Sequence, residues 1–138
     1  LLENKIDYNA RNVNIKVLTD SKWLEFILGQ IINNCIKYKR DIAGSYIKIS
    51  VRDEKNKTTL IVEDNGIGIK ESDLKQVFNK TFTGENGRGK GKSTGMGLFI
   101  AKNMCDKLGH KIEIESALNK YTRVYISFAK DKYYEVLK

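Results

Sequence analysis

The chain has one histidine, two cysteines and no apolar run near the roughly 20 residues of a membrane span. Each scarcity removes a class of function. With His110 alone, most histidine-based metal sites are excluded and a Ser-His-Asp triad is disfavoured. Cys35 and Cys105 both fall inside apolar helical patterns. They read as buried thiols of a cytosolic protein, not as a disulfide or a metal site. Nothing at the start resembles a signal peptide, and there are no internal repeats and no linker. The chain opens on Leu1, as expected of a piece cut from something longer.

What is present is the composition of an ordinary globular chain, 41% hydrophobic and 30% charged. Its 138 residues suit one domain, 1–138, large enough to bury a core. A formal net charge of +8 favours a polyanionic partner, whether nucleic acid, a membrane surface or a nucleotide. The basic residues form no single helical stripe interleaved with aromatics, so a nucleic-acid module is set aside.

Residues 1–12 read as a helix or the tail of one, followed by a strand from Asn14 to Leu18. Thr19-Asp20-Ser21 is a helix start, because such side chains cap free N–H groups. The helix it opens is expected to run from Lys22 to Lys39, with Trp23, Ile27, Ile31, Cys35 and Tyr38 on its apolar face. Gln30, Asn34 and Lys37 form a second stripe beside that face, either a solvent boundary or part of a site. Ile47, Ile49 and Val51 alternate with polar residues as a half-buried strand, and Thr58 to Glu63 returns as its hairpin partner. Lys70 to Phe78 predicts a short helix with Leu74, Val77 and Phe78 inward. A helix from Gly95 to Leu108 is expected to bury Phe99, Ile100, Met104 and Leu108. Strands at Lys111–Ser116 and Thr122–Phe128 complete a mixed, mostly antiparallel sheet of about five strands. The predicted fold is an α+β two-layer sandwich with helices on one face.

Two glycine-containing stretches punctuate this plan. Leu60-Ile61-Val62 leads into Glu63-Asp64-Asn65-Gly66-Ile67-Gly68-Ile69, a strand ending in an acid, an amide and two spaced glycines. Glycine permits sharp turns and close backbone approach, while an ionised acid is an acceptor suited to an exocyclic amine. The plainer reading is a strand and a tight turn. Residues 79–94 show little periodicity and hold Gly84, Gly87, Gly89 and Gly91 among Arg88, Lys90 and Lys92. A structureless loop of that length is usually functional or disordered. A dinucleotide fingerprint fails at its third glycine, where Glu71 stands, and a P-loop lacks its first glycine at Asn86 and a preceding strand. The P-loop, whose end Gly91-Lys92-Ser93 matches, stays a minor alternative beside a third reading that combines the parts, a phosphate cradle at Gly95-Met96-Gly97, where a helix start offers free N–H groups. Asn34 would then give an oxygen to Mg²⁺, Lys37 a phosphate cation, and Asp64 the adenine acceptor.

This set resembles the catalytic, ATP-binding domain of sensor histidine kinases, within the wider gyrase, Hsp90 and mismatch-repair group. Gln30 to Tyr38 is similar to that family's N box, Asp64 to Gly68 to its first glycine box, Val77-Phe78 with Phe82 to its F box, and Thr94 to Leu98 to its second glycine box. The boxes stand in the family's order across residues 14–129. The wording around Lys22 to Ile27 and Phe82 to Arg88 looks most like kinases that sense peptide antibiotics with a small membrane sensor. The resemblance implies ATP and Mg²⁺ as cofactors, with Asn34 the metal ligand and Lys37 on phosphate as the catalytic pair. It implies Tyr38 packing on adenine, Asp64 accepting from its amine, Gly66 and Gly68 letting backbone approach the base, and Gly95 and Gly97 cradling phosphates. Ile69, Phe78, Arg88, Lys92, Thr94, Met96 and Leu98 complete the implied nucleotide contacts, with 79–94 as the lid. Residues 1–12 would be the tail of a linker from a missing dimerisation domain.

The group's ATPases carry a glutamate one turn before the Asn, where this chain has Gln30, which cannot act as a base. Transfer rather than hydrolysis is therefore expected, to a histidine on a separate dimerisation domain and onward to a response regulator. The implied parent is a membrane-bound homodimer with this domain in the cytoplasm, monomeric by itself and with no nucleic-acid partner. An ATP-driven clamp and an anti-sigma-type serine kinase share the boxes and stay open. Two departures stand out: Gly109-His110 replaces the usual Gly-Gly, making His110 a strand-start residue, and Lys80-Thr81 loosens the F box.

Overall fold

Asp20 starts the first helix, its carboxylate accepting from the Trp23 amide at 3.0 Å. In the computed structural model, which describes residues 7–10, 17, 19–79 and 97–130, that helix is α1, Ser21–Lys37. It ends two residues before the predicted Lys39, and Tyr38 caps it. Ile27, Ile31 and Cys35 recur at spacings of four and are buried, so the predicted apolar face is the one that packs. Trp23 and Tyr38 at its two ends are only half-buried.

The strands are β1 (Asp7–Ala10), β2 (Tyr46–Asp53), β3 (Lys57–Asp64), β4 (Lys111–Ala117) and β5 (Tyr121–Ala129). They form one sheet in the order β1-β2-β3-β5-β4. Only β1 runs parallel to its neighbour; the other four strands are antiparallel. Register aligns every second residue into rows facing the helices, such as Ile49, Val62, Val124 and Ile114. The adjacent row holds Leu60, Ile126 and Ile112. Ile27, Ile31, Ile47 and Ile126 are at most 1% exposed. Each stabilises the fold by about 1.5–3 kcal/mol relative to exposure.

Among the described residues, two helices follow β3: α2 (Glu71–Leu74) and α3 (Gly97–Leu108). The helix expected over Lys70–Phe78 shrinks to α2, with turns over the residues behind it. Val77 is buried and Phe78 packs against the core as expected, whereas Leu74 is only half-buried. On α3 the buried seam is Ala101 and Cys105, both 0% exposed, while Phe99 and Ile100 are only half-buried. Met104 and Leu108 flank the core. The face differs from the predicted one because α3 packs directly on α1, and two small side chains four residues apart permit that approach.

The amino-terminal expectation is corrected as well. Residues 7–10, read as helix, pair as a strand with Tyr46–Ile49 and so belong to the sheet. Pairing with the edge of β2 gives their backbone groups partners that local propensity does not foresee. Most of the strand expected at Asn14–Leu18 lies outside the described residues, and Val17 is not in a strand. The two-layer α+β sandwich with helices on one face is otherwise as predicted.

The opposite face of the sheet is polar. Tyr46 Oη donates to Glu63 at 2.6 Å, Arg123 pairs with both Glu63 and Glu115, and Tyr125 Oη donates to Glu115 at 2.9 Å. Burial alone would raise Glu63, but the hydrogen bonds from Tyr46 and Arg123 outweigh it and hold its carboxyl low. The hydrogen bond to Glu63, helped by burial, pushes the Tyr46 hydroxyl up to about 12.

Candidate functional site

Asp64 ends β3 on the helix-facing side, in a row with Ile47, Thr122 and Ser116. It is 7% exposed. A buried carboxylate requires partners. Its Oδ1 accepts from the Gly66 amide at 2.8 Å, and the Cys35 thiol of α1 also hydrogen-bonds it. Burial raises the Asp64 carboxyl above its usual range, against the pull of those hydrogen bonds. Burial, followed by the charge of Asp64, pushes the Cys35 thiol far up, so it is an inert proton donor here.

The turn beyond Asp64 explains its glycines by protein contacts. A Cβ on Gly66 would stand 2.5 Å from the Tyr38 carbonyl oxygen. Gly68 has φ +71°, and a Cβ there would overlap the Ala117 carbonyl. The chain is therefore stitched between two neighbours: the Ile67 amide donates to Tyr38 O at 2.9 Å, and Asn119 N donates to Ile67 O at 2.6 Å. The Ile69 amide is held at 2.8 Å by Ser116 Oγ.

Asn34 and Lys37 lie on α1 beside this turn, both half-buried. Lys37 Nζ is a buried atom without a hydrogen-bond partner among the described residues, 4.9 Å from the centre of the Tyr38 ring. A buried ammonium in that state is poised for an anion. One turn before Asn34, the Gln30 carboxamide lies against the start of α3; a Cβ on Gly97 would be 2.8 Å from its Oε1. The stripe Gln30, Asn34 and Lys37 thus runs from the beginning of α3 toward Tyr38 and Asp64. Asn34 offers a single side-chain oxygen, and among the described residues no three acids, histidines or thiols gather around a metal position. That donor set fits Mg²⁺, which keeps waters and takes phosphate oxygens, and does not fit an all-protein cage.

The structure brings together Asn34, Lys37, Tyr38, Asp64, Gly66, Gly68 and Ile69, with Gly97 across from Gln30. Phe78 and Leu98 pack on the margin of the core. Arg88, Lys92, Thr94, Gly95 and Met96, with Phe82 and nearly all of the expected lid, lie outside the described residues. His110 precedes β4, shares a 2.7 Å hydrogen bond with Thr19 and sets its ring edge on Phe128. Burial lowers its pKa.

Sequence reasoning passed over Ser116, Thr122 and the Cys35–Asp64 contact. The signal for the first two was a polar residue at each inward strand position, where the alternation of β4 and β5 calls for an apolar one. Cys35 gave no such signal, because a thiol on an apolar helix face reads as core.

A family model described as histidine kinase-, DNA gyrase B-, and HSP90-like ATPase matches residues 19–132. Over 113 residues the chain is 40% identical to the sensor histidine kinase YxdK of Bacillus subtilis (strain 168), covering 82% of this chain and 34% of that protein. It is 32% identical over 123 residues to the sensor protein kinase GraS of Staphylococcus aureus (strain MRSA252), covering 89% of this chain and 34% of the relative. The chain spans about a third of the length of these relatives. The solved mycobacterial sensor histidine kinase MprB shares the fold with a TM-score of 0.78 at 21% identity, over 90% of this chain and 83% of that one.

Proposed function

The chain belongs to the family of histidine kinase-, DNA gyrase B- and HSP90-like ATPases, and from that premise we propose that it binds Mg-ATP and presents the γ-phosphoryl group to a histidine on a separate dimerisation domain. The observation that carries this reading is the buried Lys37 ammonium, which has no hydrogen-bond partner among the described residues, with Asn34 and Tyr38 on the same helix end and the buried acceptor Asp64. A cation and an acid that are both withdrawn from water, with a lone amide oxygen alongside, match a ligand carrying phosphates at one end and an amine at the other.

Each residue has a task in this scheme. Asp64 accepts from the adenine amine, and Tyr38 packs on the base. Lys37 meets a phosphate, and Asn34 would hold the Mg²⁺, which supplies charge neutralisation to the phosphates. The start of α3 adds free N–H groups and the positive end of its dipole. The protein's contribution is positioning and electrostatic stabilisation, as in other phosphoryl transfers. Gln30 stands where a water-activating base would be needed, and a carboxamide takes no proton. Transfer is thereby favoured over hydrolysis. The phosphoryl group would pass from the histidine to a response regulator. In this proposal the parent is a membrane-bound homodimer, with this domain on the cytoplasmic side and monomeric by itself.

The test is phosphotransfer. The domain is mixed with labelled Mg-ATP and a dimerisation domain carrying the acceptor histidine, and the label is tested for acid lability. Acid-labile label that disappears with Asn34→Ala is the expected result. Acid-stable label on serine would assign the domain to the serine kinases instead, and free phosphate with no labelled protein would assign it to the ATPase clamps.

A further inference from the structure

Asn65 stands between Asp64 and Gly66 and directs three polar groups at the connection between α1 and β2. Its Oδ1 accepts from the Tyr46 amide at 2.8 Å and its Nδ2 donates to Gly44 O at 3.0 Å. Its carbonyl accepts from Arg40 Nε at 2.9 Å. The Arg40 carbonyl in turn accepts from the hydroxyl of buried Ser45 at 2.8 Å, which fixes the backbone from which the guanidinium reaches. The Ile67 amide adds its bond to Tyr38 O from the far side of the same turn. Residues 38–46 and 64–67 are thereby fastened to each other along both of their edges.

Of these fasteners, Arg40 is the one side chain that crosses from the α1–β2 connection to the turn. It sits two residues after Tyr38 and grips the residue after Asp64. An arginine donor is charged at any working pH, and a charge-assisted hydrogen bond is roughly twice as strong as a neutral one. The geometry points to Arg40 as a positioning residue for adenine recognition, holding the Tyr38 wall at a fixed distance from the Asp64 acceptor. This rests on the reading that Tyr38 and Asp64 contact the base. In this reading Arg40 acts through the Asn65 carbonyl and has no assigned role toward the phosphates. Its loss should therefore weaken every adenine nucleotide alike and leave the contribution of the phosphates intact.

The experiment compares ATP, ADP and inosine triphosphate binding to the 138-residue chain and its variants by competition with a fluorescent nucleotide. Arg40→Met removes the donor and keeps the apolar stem. It is expected to weaken ATP and ADP equally, by about tenfold, the scale of one hydrogen bond to a charged group. Inosine triphosphate, whose oxygen offers Asp64 no amine, should bind the variant and the parent with similar, low affinity. Arg40→Lys keeps one donor and should recover part of the loss. Thermal melting in the same samples reports folding. If Arg40→Met does not fold, Arg40→Gln, which is too short to span the gap, takes its place with the same expectations.

Unchanged ATP affinity in a folded Arg40→Met or Arg40→Gln would overturn the assignment, as would equal weakening of the inosine nucleotide. Asp64→Ala separates this from the underlying reading. If that variant still prefers ATP to inosine triphosphate, adenine is not read by Asp64 and the functional reading fails. If the preference vanishes in Asp64→Ala while Arg40→Met binds as before, only the role of Arg40 is lost.

Discussion

The Gly66 amide donates to Asp64 Oδ1 across a single intervening residue, at 2.8 Å. The carboxylate is thus locked by its own turn, with one oxygen occupied and its ring of neighbours set by Cys35 and Thr122.

Asp64→Asn keeps that shape and reverses the chemistry. Its single carbonyl oxygen goes to the Gly66 amide, which leaves an NH₂ facing the adenine amine. Affinity for ATP should fall by about 10- to 150-fold, the equivalent of roughly 1.5–3 kcal/mol for a hydrogen bond to a charged group. Stability should hold or rise, because the burial that raises the Asp64 pKa makes its ionised form costly in the fold. The sign of the pH effect follows. With a folded pKa above the unfolded value near 3.9, Asp64 destabilises at neutral pH, and that cost fades as pH falls through the folded value. Nucleotide affinity moves the opposite way, since a proton then occupies the acceptor. Titrating ATP binding downward from pH 7 should show a loss that begins above the range of an exposed aspartate and is absent in Asp64→Asn.

Gly66→Ala and Gly68→Ala should each destabilise the domain by about 1–3 kcal/mol, the usual cost of overpacking against atoms that cannot yield. Both new methyl groups meet backbone carbonyls, Tyr38 O and Ala117 O, and Gly68 adds a positive φ. Gly44→Ala is the control, because its φ is +84° but nothing lies within 4 Å of the added carbon. Denaturant melts of the three should place Gly44→Ala nearest the parent.

Lys37→Met removes an ammonium that has no hydrogen-bond partner among the described residues and fills its volume with a thioether. The nucleotide-free domain should be as stable as before or more so, even after losing a cation–π contact of about 0.5–1 kcal/mol with Tyr38. ATP affinity should drop while adenosine affinity stays, a split that isothermal titration resolves. A fall in adenosine affinity would place Lys37 on the base instead of on phosphate.

Gln30→Glu adds a base one turn from Asn34, at the start of α3. Phosphate release from ATP should rise on the order of tenfold or more, below the 10²–10⁴ of a fully positioned base. Unaltered hydrolysis would show that the carboxylate at this position does not reach the attacking water.

Much of this was legible because two periodicities carry it. Alternation in Ile47–Val51 and in Val124–Phe128 names the inner face of the sheet, and Ile27, Ile31 and Cys35 name the inner face of α1. Asp64 to Gly68 announces a turn wherever it occurs. The strand at Asp7–Ala10 was not legible, because its partner is β2 and nothing local marks a parallel edge. The seam of α3 was misjudged for a related reason. Hydrophobic size suggested Phe99 and Ile100, but the closeness of α1 selects Ala101 and Cys105. The part of the site that rests on Arg40 and Ser116 escaped because each acts through a backbone group of a distant turn.

The sheet order has one further consequence. β5 is the last strand among the described residues, yet it lies between β3 and β4, and the turn after Asp64 rests on Ala117 and Asn119 of the β4–β5 hairpin. During synthesis the first hairpin, β2 and β3, leaves the ribosome long before the strand that completes its other edge. A nascent chain halted before β5 therefore holds Asp64 and its turn without the hairpin they rest on. Under the proposed function, nucleotide binding would require the completed sheet.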